Sequence, residues 1–172
     1  MAEYDPVALL RVLSDHDVDF VVIGGVAARL QGAPILTQDV DVTPATDGEN
    51  LDRLARALRS IHARLRSPSD PDGVDFPVEA TFLAANRSWT LVSDVGDVDI
   101  VFEPAGTHGY SDVLADADRL TVAENPPLIV NVASLPTVIR SKEAAGRDKD
   151  RAALPLLRRT LEELERVRHA NT

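Results

Sequence analysis

The sequence predicts a mixed α/β (α+β) fold, with a small mixed sheet flanked by helices and a helical C-terminal part. Two observations predict it. Short apolar runs rich in β-branched residues alternate with helix-spaced segments up to about residue 132. Beyond that point only helical patterns follow. Asp5-Pro6 opens the first helix, an N-cap followed by proline at the first helical position. Val7, Leu9, Leu10 and Val12 carry it to about Ser14. Asp19 to Ile23 reads as a buried strand ended by Gly24-Gly25, and Val26 to Leu30 as a short helix closed by Gly32 and Pro34. Leu36 to Val42 alternates and reads as a second strand, stopped by Pro44.

Thr46 or Asp47 caps the next predicted helix, which the spacing of Leu51, Leu54, Leu58 and Ile61 carries to about Arg64. Ser67 to Gly73 reads as a polar turn, and Val78 to Ala85 fits helix or strand. Trp89 to Val92 and Val98 to Phe102 read as strands joined by a tight turn at Gly96. A loop over Pro104 to Gly109, a short helix over Ser111 to Ala117 and a strand over Leu128 to Val132 follow. Ser134 to Ala145 and Arg151 to Arg168 read as helices, with Pro155 near the start of the second or kinking it. The chain therefore reads as one domain over residues 1–172, with a strand-rich core to about 132 and a helical part over about 133–172.

Bulk properties bound the function. A chain of 172 residues buries roughly 70% of its unfolded surface and holds a core without staples. It has no cysteine, so disulfides and thiolate metal sites are excluded. There is no basic patch followed by an apolar run at the N-terminus and no stretch long enough to span a bilayer. The expectation is a cytoplasmic protein with no membrane partner. The net charge of −10 argues against a general nucleic-acid coat, which neutralises phosphates with clustered Lys and Arg.

The chemistry-bearing constellation is strand, Gly24-Gly25, short helix, then Asp39-Val40-Asp41. Positions two apart on a strand face the same way, so Asp39 and Asp41 sit side by side. Two bare carboxylates about 4 Å apart repel by roughly 4 kcal/mol at an effective dielectric near 20. A divalent cation, Mg²⁺ or Mn²⁺, removes that repulsion. Glycines after a strand let backbone N–H groups approach a triphosphate. Asp97 and Asp99 repeat the acidic pattern. Asp99 is the preferred third metal ligand, and Asp97, beside the Gly96 turn, is the alternative. Alone, Gly-Gly is usually a plain turn and Asp-x-Asp a solvated strand face. Their order along the chain, each tied to an apolar strand, favours a site.

These residues resemble the signature of the DNA polymerase β-type nucleotidyltransferase superfamily, over roughly residues 15 to 150. Within it, the chain looks most like the AbiEii-like and MenT-like toxins of bacterial toxin–antitoxin systems. Those proteins often carry Gly-Ser where this chain has Gly24-Gly25, and they place a Lys and an Asp in a later helical region. Ser141 to Asp150 looks like that region, with a shorter Lys-to-Asp spacing than in some toxins. The resemblance implies catalytic roles for Asp39, Asp41, Asp99 and Lys142. It implies nucleotide binding by Gly24, Gly25, Thr37, Lys142, Arg147 and Asp150. Lys142 also leads the densest basic run of an acidic chain, with Arg140, Arg147 and Lys149, although ion pairs to Glu143 and Asp148 would account for such a run on a solvated helix.

The expected activity is transfer of a nucleoside monophosphate from an NTP to an acceptor. The resemblance favours a toxin acting on tRNA 3′ ends, with a cognate antitoxin protein as partner. The acidic charge suits a small-molecule acceptor of the antibiotic type better. A non-catalytic nucleotide-binding module is the third reading, disfavoured by the intact acids. His108 and Tyr110, in a Gly-flanked loop, are further candidates for substrate contact. Trp89 is expected in the core, because 4% aromatics leaves little for base stacking.

Overall fold

The computed structural model describes residues 4–172. Helix α1 (Pro6–Asp15) starts where Asp5 accepts the Ala8 N–H at 3.0 Å, and buries Leu9, Leu10 and Leu13. Strand β1 (Phe20–Ile23) runs directly into α2 (Gly24–Leu30), so the glycine pair forms the first turn of that helix. Next come β2 (Asp39–Pro44) and α3 (Gly48–Ser60), the latter capped by Asp47. A hairpin of β3 (Arg64–Ser67) and β4 (Asp70–Val74) leads through the single turn α4 (Ala80–Leu83) to β5 (Ser88–Val92) and β6 (Asp97–Val101). The chain ends with α5 (Tyr110–Ala115), β7 (Asp118–Glu124), β8 (Pro127–Val132), α6 (Leu135–Ala145) and α7 (Asp148–Ala170).

All eight strands form one sheet in the order β4-β3-β5-β6-β2-β1-β8-β7. The β2–β6 and β1–β8 pairs are parallel and the others antiparallel, so the sheet is mixed as expected, but larger. The additions lie at its edges. Arg64 to Val74 lacks an apolar alternation because an edge hairpin has little to bury, and it reads as a helix end and a turn. Strand β7 is the opposite edge strand and was not among the expected elements, although Leu120-Thr121-Val122 alternates over a short stretch.

Boundaries moved for local reasons. The second strand begins at Asp39 and not at Leu36, because its register with β1 and β6 covers only Asp39 onward; Leu36 is 98% exposed. Helix α3 stops at Ser60 because His62 takes a positive φ of 50° and turns the chain into β3. Helix α7 begins at Asp148, ahead of the predicted Arg151, leaving Pro155 inside it. Among the described residues, no helix is long and apolar enough to cross a membrane.

Candidate active site

The parallel β2–β6 register sets Asp39 opposite Asp97 and Asp41 opposite Asp99. Val40, Val42, Val98 and Ile100 alternate with these acids and are buried on the other face. Four carboxylates thus share one sheet face on neighbouring strands, an arrangement that costs stability through like-charge repulsion. The pattern persists because the opposite face is core, and a one-residue slip would bury the acids.

The glycine pair abuts the acids. Gly24 has φ +64°, and a Cβ there would lie 2.3 Å from Asp41 Oδ2. A Cβ on Gly25 would lie 2.9 Å from Thr37 Cβ and Oγ1. Thr37 Oγ1 donates to the Asp39 carbonyl at 3.1 Å. The space that two side chains would fill is taken by the Asp41 carboxylate and by Thr37. The glycines are therefore needed for close approach of α2 to β2, whatever else their N–H groups bind.

A cleft of about 520 Å³ opens above these residues. Its walls include Gly24, Gly25, Thr37, Asp39, Asp41 and Asp99 on the sheet side, and Lys142, Arg147 and Asp150 on the α6–α7 side. Asp97 does not line it; its carboxylate meets Arg66 at 3.1 Å. Position therefore favours Asp99 over Asp97 as the third acid. Burial pushes the Asp41 carboxyl up to about 7, helped by the negative charges of Asp99 and Asp39 and opposed by Lys142. Burial also raises Asp99; the Arg66 guanidinium pulls the other way and Asp39 adds to the rise.

This donor set fits a hard divalent cation. Asp99 Oδ1 is buried with no hydrogen-bond partner, an oxygen with an unmet demand for positive charge. Among the described residues, no group of three or more His, Cys, Asp or Glu is placed to hold a metal ion by itself. An ion that keeps waters and substrate phosphates needs only one or two protein carboxylates, which Asp41 and Asp99 would supply.

The basic wall is tied together by a buried acid. Asp150, its side chain fully buried, accepts from Lys142 Nζ at 3.2 Å and from Arg147 Nε at 2.7 Å. Burial works to raise the Asp150 carboxyl, but the hydrogen bonds from Arg147 and Lys142 outweigh it and hold the group below its ordinary range. The solvated-helix alternative fails for Lys142, which is only 16% exposed and does not pair with Glu143 or Asp148. Those two pair with Arg158 and Arg151. The basic run is nevertheless not one cluster, because Arg140 turns away to Asp112 at 3.2 Å.

No protein-family model matches this chain. No curated protein matches it either. Its fold is similar to the crystal structure of a protein from Thermotoga maritima that is provisionally described as a nucleotidyltransferase. The two are 21% identical with a TM-score of 0.52, over 95% of this chain and 96% of that one. The two proteins share a fold.

Two further placements differ from expectation. His108 and Tyr110 line a separate cavity of about 640 Å³ with Asp47 and Arg87, away from the acids. The Gly109 turn carries them past the end of β6 and off the cleft. Arg66 is the residue that sequence reasoning missed. It sits within 4 Å of Asp39, Asp97 and Asp99, yet its Arg-Leu-Arg alternation lies where a helix end and turn were expected. Trp89 is core as expected: 6% exposed, donating its indole N–H to the Leu83 carbonyl and stacked 5.5 Å from Phe76.

Proposed function

We propose that this protein is a divalent-metal-dependent nucleotidyltransferase that moves a nucleoside monophosphate from an NTP to an acceptor hydroxyl. One observation carries the reading: Asp41 and Asp99 face each other across the β2–β6 register at the floor of a cleft whose opposite wall presents Lys142. In the reaction the acceptor oxygen bonds to the α-phosphorus. The bond from that phosphorus to the bridging oxygen breaks, and pyrophosphate leaves. Asp41 and Asp99, with Asp39 beside them, would hold Mg²⁺ or Mn²⁺, which supplies charge neutralisation at the phosphates. Asp99 would take the hydroxyl proton as general base. Lys142 lies across the cleft from the acids and neutralises charge on the triphosphate.

The finer reading is a toxin of a toxin–antitoxin pair acting on tRNA 3′ ends in the cytoplasm. It is supported by the resemblance of Gly24-Gly25, Asp39, Asp41, Asp99 and Lys142 to such enzymes. A net charge of −10 favours a second reading, in which the acceptor is a small cationic molecule. Incubation with each labelled NTP, Mg²⁺ or Mn²⁺, and either total tRNA or small cationic acceptors separates the two. Label on tRNA supports the first, label on a small molecule the second. No label with any NTP and either metal refutes nucleotidyl transfer.

Lys142 tests the cleft's basic wall. Lys142→Ala is expected to lower kcat/KM for the NTP by at least about tenfold, and Lys142→Arg to recover it in part, because a planar fork does not replace a point charge. Unchanged kcat/KM in Lys142→Ala would remove the residue from the mechanism.

A further inference from the structure

We propose that Arg66 is the resident counter-ion of the acidic cleft, and that a divalent cation binds by displacing it. The inference rests on the reading above in one respect only, that the acids take such a cation.

The register explains how Arg66 reaches the acids. Leu65 of β3 pairs with Leu91 of β5, and Leu91 pairs with Val98 of β6. Leu91 and Val98 are buried on the core face. Arg66, one residue on from Leu65, therefore projects from the same sheet face as Thr90, Asp99 and Asp41. Its Nη2 lies 3.1 Å from Asp97 Oδ2, 3.7 Å from Asp39 Oδ1 and 3.9 Å from Asp99 Oδ1. Among the described residues it is the only cation in ion-pair range of Asp39, Asp97 and Asp99, since Lys142 and Arg147 are engaged by Asp150.

The hold is loose where it matters. The contacts to Asp39 and Asp99 are too long for hydrogen bonds. Asp99 Oδ1 stays buried without a partner although the guanidinium is its nearest cation. A metal ion ligated by that oxygen at about 2.1 Å would occupy the space in front of it and bring two positive charges where Arg66 brings one. The two cations cannot share Asp99 Oδ1. The Arg66 side chain, 33% exposed and carried by a short strand near the sheet edge, has open solvent to move into. Asp97, outside the cleft, keeps its 3.1 Å contact as a parking place for the displaced group. The acids are thus charge-compensated in two alternative ways, and Arg66 lowers the apparent metal affinity of the empty enzyme.

The test measures Mn²⁺ binding to the full chain without nucleotide, from the electron paramagnetic resonance signal of free Mn²⁺. Arg66→Gln should bind Mn²⁺ about tenfold more tightly than wild type, and Arg66→Lys, which keeps the charge, should lie between them. In EDTA Arg66→Gln should melt below wild type, and it should gain more from Mn²⁺. A measurement on unaltered protein covers the case in which Arg66→Gln does not fold. Mn²⁺ should speed modification of Arg66 by phenylglyoxal, read by peptide mass spectrometry. Equal Mn²⁺ affinity in folded wild type and Arg66→Gln, or slower or unchanged labelling, overturns the displacement and leaves the metal site standing. Absence of Mn²⁺ binding in both folded proteins overturns the displacement and the metal-dependent reading together.

Discussion

Replacing Asp41 by Asn is expected to abolish nucleotide transfer while making the metal-free protein more stable at neutral and alkaline pH. The carboxylate lies on the floor of the cleft, facing Asp99 in the strand register, so its loss removes a metal ligand and a rate decrease of roughly 10³-fold or more follows. The stability effect comes from the same environment. The Asp41 carboxyl is raised from 3.8 to about 7, chiefly by burial and then by Asp99 and Asp39. The folded state therefore holds a proton that the unfolded chain releases near pH 4, and wild-type stability falls as pH rises from about 4 to about 7. A rise from 3.8 to about 7 corresponds to a ceiling of about 4 kcal/mol. Asp99 shares the titration, so a gain of about 1–3 kcal/mol for Asp41→Asn is expected above pH 7, shrinking toward zero near pH 4. Melting curves in EDTA across that range, run beside transfer assays, decide it. A gain independent of pH, or retained transfer, would count against this account of Asp41. Saturating Mg²⁺ should reverse the order, because the ion stabilises the carboxylate and has less to bind in the variant.

The second large effect belongs to Asp150. Its fully buried side chain holds Lys142 and Arg147 and joins the end of α6 to the start of α7. Asp150→Ala leaves two cations without their acid at the cleft wall. Breaking a buried pair costs about 3–5 kcal/mol. Arg147 is 63% exposed and can turn to water, so a loss of about 2–4 kcal/mol is expected. Asp150→Asn retains an acceptor of the same shape and should lose less. The wild-type carboxyl is held below its ordinary pKa, so its contribution is present above about pH 4 and is lost as pH falls through the depressed value. The deficit of Asp150→Asn relative to wild type should accordingly narrow in acid, just as the gain of Asp41→Asn does, but the two differences have opposite signs at neutral pH. Chemical denaturation at pH 7 and at pH 3 reads both the size and the sign. A neutral Asp150→Ala would show that the helix junction does not depend on this acid.

Much of the site is local and therefore visible in the residues themselves. Period-two alternation in Asp39-Val40-Asp41 and Asp97-Val98-Asp99 places acids on one face and core on the other, because strand geometry allows nothing else. Glycines following a β-branched run mark a close approach, and proline and aspartate mark where α1 and α3 begin. These signals need no distant partner, so the mixed α/β class, most elements, the glycine pair and the acidic strand positions were readable from the chain, whereas Thr37, Lys142, Arg147 and Asp150 came only from the family resemblance.

Tertiary structure alone decided the remainder. The β2–β6 register selects Asp99 for the cleft and leaves Asp97 outside it, a choice between two equivalent strand positions that only the neighbouring strand and the overlying helices can make. Arg66 reaches the acids across two intervening strand pairings, β3–β5 and β5–β6, and a short strand next to the sheet edge with little to bury has no apolar rhythm to announce it. Asp150 becomes a buried anchor, and not one more charge on a solvated helix, because α7 folds back on α6. Alternation and capping are fixed by neighbours along the chain. Which charges meet is fixed by long-range packing, where a Coulomb interaction depends on distances that no local pattern encodes.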